Sequence, residues 1–150
     1  MKMSRLVSTL CVLFPTLAWS NPYIHSIWAT SPLYVGDTSG MYSATSAKCA
    51  FSWNTATGHA FVNARATAGM VGTAGINVYE FQLLSVTAGG VTSGQISGVW
   101  NVTKNNVMVC GNCQGTAYGL NSGVGNYFKI YVGPNNAYHL SAYITSAYNY

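Results

Sequence analysis

Residues Gly75 to Cys113 constrain the fold more than any other stretch. Two runs dense in Val, Ile, Leu, Tyr, Phe and Trp flank Ala88-Gly89-Gly90, and the second closes on Cys110 and Cys113. β-Branched and aromatic side chains suit the pleated, half-buried surface of a sheet, and glycines supply the positive φ that a hairpin reversal needs. The pattern predicts a hairpin turning at Gly89-Gly90. Ile76, Tyr79, Leu83 and Val86 also approximate helical spacing, but the density of β-formers and the bounding glycines favour a strand.

The same grammar recurs along the chain. Phe51 and Trp53 alternate on one face, Ala56-Thr57-Gly58-His59 makes a reversal, and Phe61 to Thr67 runs back. Trp53-Asn54 precedes Phe61-Val62 by the interval that separates Trp100-Asn101 from Met108-Val109, which convergent hairpin composition explains. Residues Gly115 to Gly125 are turn-rich. Tyr127 to Val132, the turn Gly133-Pro134-Asn135-Asn136 and Ala137 to Tyr150 form a final hairpin.

Asn21 to Val35 carries Pro22 and Pro32, which cannot donate to a ladder, so it is expected as an edge strand or extended arm. Met41 to Ala47 is expected as a weak strand or loop, and Gly69 to Gly75 as a small-residue linker. Together these elements predict an all-β, single-domain antiparallel β-sandwich or small barrel of short hairpin-connected strands.

Residues 1–20 have the form of a cleavable secretory signal helix. Lys2 and Arg5 make a basic start, Leu6 to Leu17 an apolar middle, and Ala18 and Ser20 are the small residues before a cut. The apolar run is too short for a spanning helix and is broken by Pro15. The mature β domain is therefore expected at 21–150, with a secreted, extracellular location.

That domain keeps four cations, Lys48, Arg65, Lys104 and Lys129, against two carboxylates, Asp37 and Glu80. Globular chains carry about a quarter charged residues, against 5% here. Its surface must be covered by hydroxyls and amides instead. Four scattered cations do not make a phosphate track, so no nucleic-acid partner is expected.

Cys49, Cys110 and Cys113 remain after export, in a compartment that favours oxidation. A disulfide from Cys49 to either of the other two would staple the hairpins, and the loop it closes would contribute about 3 to 4 kcal/mol in the chain-entropy model. Cys110 to Cys113 is the alternative. A zinc site from the three cysteines and His59 lacks the second close pair that marks such sites, so neither metal nor cofactor is expected.

Catalysis lacks parts. Asp37 lies in a Gly-Asp-Thr-Ser-Gly turn, where its side chain is expected to cap backbone amides, and Glu80 alternates with apolar neighbours on a strand. No Gly-x-Ser-x-Gly elbow or phosphate-binding glycine loop is present. The expectation is a non-enzyme.

What remains is recognition. Aromatic faces interleaved with Asn, Ser and Gly are the vocabulary of adaptable paratopes and suit the mixed apolar and hydroxyl surface of sugars. The sequence thus points to a secreted binding or adhesion protein for a glycan or cell-surface ligand. Its candidate platforms are Trp28, Trp53, Trp100, Tyr131, Tyr138 and Tyr143, each competing with a role in the core. Two alternatives stay open. Tyr138, Leu140, Ala142, Ile144, Tyr148 and Tyr150 share a face, as in the closing strand of a small outer-membrane barrel. The small-residue linker and aromatic C-terminus also suit a pore-forming toxin or a self-assembling surface or fibre subunit.

Overall fold

A computed structural model describes residues 22–69 and 75–148. The expected leader, positions 70–74 of the linker and Tyr150 lie outside the described residues. Ten strands follow in chain order: β1 Ile24–Ala29, β2 Ser31–Asp37, β3 Gly40–Asn54, β4 His59–Gly69, β5 Ile76–Val91, β6 Gln95–Lys104, β7 Val107–Tyr118, β8 Tyr127–Val132, β9 Tyr138–Tyr143 and β10 Ser146–Tyr148. A single 3₁₀ turn, Pro134–Asn136, joins β8 to β9.

All pairings are antiparallel, and β3 pairing with β4 closes the sheet on itself. β1 and β2 both pair with β3, and β10 and β9 pair with β1 and β2 in turn. Each couple therefore acts as one long bent strand. The result is an eight-stranded up-and-down barrel, the closed one of the two expected all-β architectures. Closure removes the exposed edges that a sandwich would leave.

The barrel is filled. Phe51, Trp53, Tyr79, Phe81, Trp100 and Phe128 are all buried inside it. Phe51 of β3 and Phe128 of β8, from strands that do not pair, meet edge-on with ring centroids 4.8 Å apart, so side chains cross the lumen. β4 makes room for these rings with alanines: Ala60 faces Trp53, Ala64 faces Phe81 and Ala66 faces Tyr79. Small residues beside large ones on neighbouring strands let the rings fill the lumen without overpacking it.

Several local expectations are corrected. The reversal between β5 and β6 falls at Thr92 to Gly94, where Thr92 and Gln95 exchange hydrogen bonds. Gly89 and Gly90 instead lie in a bulge, with Val86 opposite Gly98 but Val91 opposite Ile96. Gly89 supplies the positive φ of 72° that the bulge needs. Residues 24–37 are wall rather than an edge arm, because Pro32 falls where the register with β9 shifts. Met41 to Ala47 belongs to a strand of 15 residues, longer than the short strands expected. Gly115 to Tyr118 completes β7, so the turn-rich region starts only at Gly119.

The expected cysteine staple is also replaced. Cys110 joins Cys113, and Cys49 is buried with a free thiol. Burial pushes that thiol up to about 12. The two disulfide sulfurs cannot serve as zinc thiolates, which removes the ligand set considered with His59.

Candidate functional site: two grooves on the outer wall

Because side chains alternate in and out along each strand, filling the interior fixes which residues face outward. Cys49, Phe51 and Trp53 point in, so Lys48, Ala50 and Ser52 point out. Antiparallel register then lines outward residues into rows around the wall. One row runs Trp28, Ala50, Asn63, Gln82, Asn101 across β1, β3, β4, β5 and β6. The next, two residues along each strand, runs Lys48, Arg65, Glu80, Thr103, Met108.

Between these rows lies a groove of about 450 Å³ lined by Trp28, Thr30, Lys48, Ala50, Phe61, Asn63, Arg65 and Glu80. Ala50 leaves a low floor between the indole of Trp28 and the amide of Asn63. Trp28 is 52% exposed and Phe61 63% exposed, so two aromatic faces meet solvent at this groove. Arg65 Nη1 lies 3.6 Å from Glu80 Oε2, an exposed pair. Further round, Phe61, Asn63, Glu80, Gln82, Asn101, Thr103 and Met108 line an adjoining depression. Asn101 uses its side-chain oxygen to accept from the backbone N–H of Asn112, which orients its amide.

A second groove lies across β2, β9 and β8, lined by Tyr34, Met41, Tyr127, Lys129, Tyr131 and His139. Tyr118, Lys129, Ser141 and Tyr34 are successive register partners here. Tyr127 and Tyr143 meet edge-on, as do Tyr118 and Tyr131, and the Lys129 ammonium sits 5.7 Å from the Tyr127 ring centroid. Gly36 faces His139, and any Cβ at position 36 would collide with the imidazole.

At one end of the barrel a polar cluster binds the β2–β3 turn to distant strands. Asp37, in the turn, accepts from the Ser39 amide at 2.8 Å, the Tyr79 hydroxyl at 2.7 Å and Lys104 Nζ at 2.8 Å. Burial pushes the Asp37 carboxyl up, but the bonds from Lys104, Ser39 and Tyr79 outweigh it and hold it well below the ordinary carboxylate range. The Tyr79 hydroxyl moves the other way, raised by burial and by its bond to the carboxylate. The expected capping role of Asp37 is present, with two long-range partners in addition.

The six platform candidates separate by alternation. Trp53 and Trp100 are core residues. Trp28 stands in the first groove, while Tyr131 and Tyr143 belong to the tyrosine cluster of the second. Tyr138 is half-buried on the inner face, its hydroxyl donating to the Val109 carbonyl. Phe61, Asn63, Gln82 and Arg65 were not singled out from the sequence. Their alternation with inward Val62, Ala64 and Phe81 was a usable signal, but their alignment with Trp28 depends on register.

No protein-family model, no curated protein and no solved structure matches the chain.

Proposed function

We propose that this barrel is a secreted, non-enzymatic binding protein that recognises a glycan or other cell-surface ligand on its outer wall, at the groove between Trp28 and Asn63. The observation that carries the proposal is the pairing of two exposed aromatic faces, Trp28 and Phe61, in one groove beside a row of carboxamides. Single exposed apolar residues are ordinary, whereas convergent ones rimmed by polar groups mark interaction sites. Rings stack on an indole, and amides exchange hydrogen bonds with hydroxyls in both directions.

The carboxylates support a binding role over a catalytic one. Asp37 is committed to Lys104 and Tyr79, and Glu80 faces Arg65, so each is engaged by a cation. Secretion is supported by the leader-like pattern of residues 1–20 and by the Cys110–Cys113 disulfide. The outer-membrane alternative fits less well. Tyr138, Leu140, Ala142 and Ile144 face the interior, and Lys48, Arg65, Glu80, Asn63 and Gln82 stand among the exposed aromatics of the outer wall, where they interrupt an apolar band.

A glycan array probed with the purified protein and with Trp28→Ala and Tyr118→Ala tests the proposal. Saccharide retention should fall about tenfold or more in Trp28→Ala, the scale of a lost aromatic anchor, and persist in Tyr118→Ala. Retention of no saccharide by the unaltered protein would refute it.

A further inference from the structure

The charge pattern of the first groove selects among saccharides. Lys48 and Arg65 are direct cross-strand partners, both facing outward. Like charges placed opposite one another destabilise a strand pair, so the arrangement costs stability unless an anion lies between them. The protein supplies only half of that compensation. Glu80 is the partner of Arg65 on its other side and sits 3.6 Å from it. Asp37, the other carboxylate among the described residues, is held at the barrel end by Lys104 and Tyr79. No carboxylate among the described residues is left for Lys48.

Geometry places this unspent charge beside the stacking platform. Trp28 faces Ala50, and Lys48 is the next outward residue along the same strand, so ammonium and indole border one groove. Strands spaced about 4.8 Å apart put Trp28 and Asn63 about 10 Å from each other across Ala50, the width of one pyranose ring with its substituents. Resting on the proposed glycan-binding role, we propose that the groove takes a saccharide carrying a carboxylate. Its ring lies on Trp28, and the acid group sits between Lys48 and Arg65. Asn63 hydrogen-bonds the ring hydroxyls. A planar guanidinium suits bidentate capture of a carboxylate, and Lys48 adds a point charge.

The test measures affinity by calorimetry for three probes: a hexuronate trisaccharide, the neutral hexose trisaccharide of the same linkage, and triglutamate. The protein is compared with Lys48→Gln and Trp28→Ala. Both positions are exposed, and buried Trp53 and Trp100 fluorescence reports that each variant is folded. The hexuronate should bind about tenfold more tightly than the hexose, the effect of one charge-assisted hydrogen bond. Lys48→Gln should reduce that preference, bringing hexuronate affinity towards that of the hexose, and rising salt should erode it. Trp28→Ala should weaken both sugars.

Equal binding of the two sugars, or a preference unchanged in Lys48→Gln, would overturn the acidic-ligand inference and leave the saccharide reading standing. Triglutamate binding as tightly as the hexuronate would overturn it in favour of an acidic peptide. Binding of neither sugar would remove the saccharide reading and the inference together.

Discussion

At the scale of single residues, Asp37 carries the largest consequences. It is the buried acid of a chain almost without charge, and its four donors come from its own turn, where Ser39 gives both amide and hydroxyl, and from β5 and β6. Asp37→Asn leaves Lys104, whose side chain is 29% exposed, without its partner. Partial exposure lets the ammonium recover some hydration, so the cost should be about 2 kcal/mol, below that of a fully buried broken pair. Urea unfolding at neutral pH measures it. The pH dependence follows from the same cluster. A carboxyl depressed in the native state gives stability that is complete above its unfolded value of about 4 and is lost as pH falls toward the native one. A phenol raised in the native state gives stability that is complete below about 10 and is lost above it. Urea midpoints should therefore fall below about pH 4 and begin to fall above about pH 8.5, where the unfolded Cys49 thiol ionises, and more steeply above about pH 10, where Tyr79 adds to the loss. Tyr79→Phe should remove the part of the alkaline limb above about pH 10 and leave the part due to Cys49. Cys49 is silent by the same physics: buried and with its thiol pushed up to about 12, it should resist thiol reagents until the barrel is unfolded, as peptide mapping of the labelled protein would show.

At the scale of elements, the hairpins were legible and the bulges were not. Alternation of Phe51 with Trp53 gave β3 and its reversal, since period-two hydrophobicity is local information. Gly89-Gly90 does not show in sequence whether it is a turn or a bulge, because paired glycines suit either and only the partner strand decides between them. Gly98 and Gly115 show what the partner demands. A Cβ at Gly98 would collide with the Ser85 carbonyl, and one at Gly115 would lie 2.8 Å from the Tyr131 carbonyl. Backbone cannot move aside as a side chain can, so Gly98→Ala should cost about 3 kcal/mol or more, the upper range for overpacking, read from thermal unfolding. The disulfide is likewise an element-scale device. Gly111 and Asn112 bulge out where Trp100 pairs with Cys113 and Val102 with Cys110, and the bond spans that bulge. Closing so short a loop is worth about 2 kcal/mol in the chain-entropy model. Replacing both cysteines by serine should therefore lower stability by about that much and leave the barrel folded. A cross-hairpin staple from Cys49 would have been worth more, and its absence was not readable because cysteine spacing does not give connectivity.

At the scale of the molecule, the sequence limited the fold to a sandwich or a barrel but held no signal for which. That choice rests on β3 pairing with β4 along ten residues while also pairing with β1 and β2, a closure set by strand length and shear. Closure in turn decides what each aromatic does. Trp53 and Trp100 vanish into the lumen, and Trp28, one of the same residue type, is left in water. Composition alone had placed all three in one class. The rows that join Trp28 to Asn63, and Lys48 to Arg65, exist only once the strands are in register, so the groove is not legible in the sequence even though residues that line it are. Recognition by the outer wall therefore depends on closure and register together. The most direct measurement is amide and indole chemical-shift mapping during titration with the hexuronate trisaccharide. Shifts should gather on Trp28, Lys48, Asn63 and Arg65, with the indoles of Trp53 and Trp100 unmoved. Shifts confined to the interior or to the tyrosine groove, or none at saturating sugar, would contradict it.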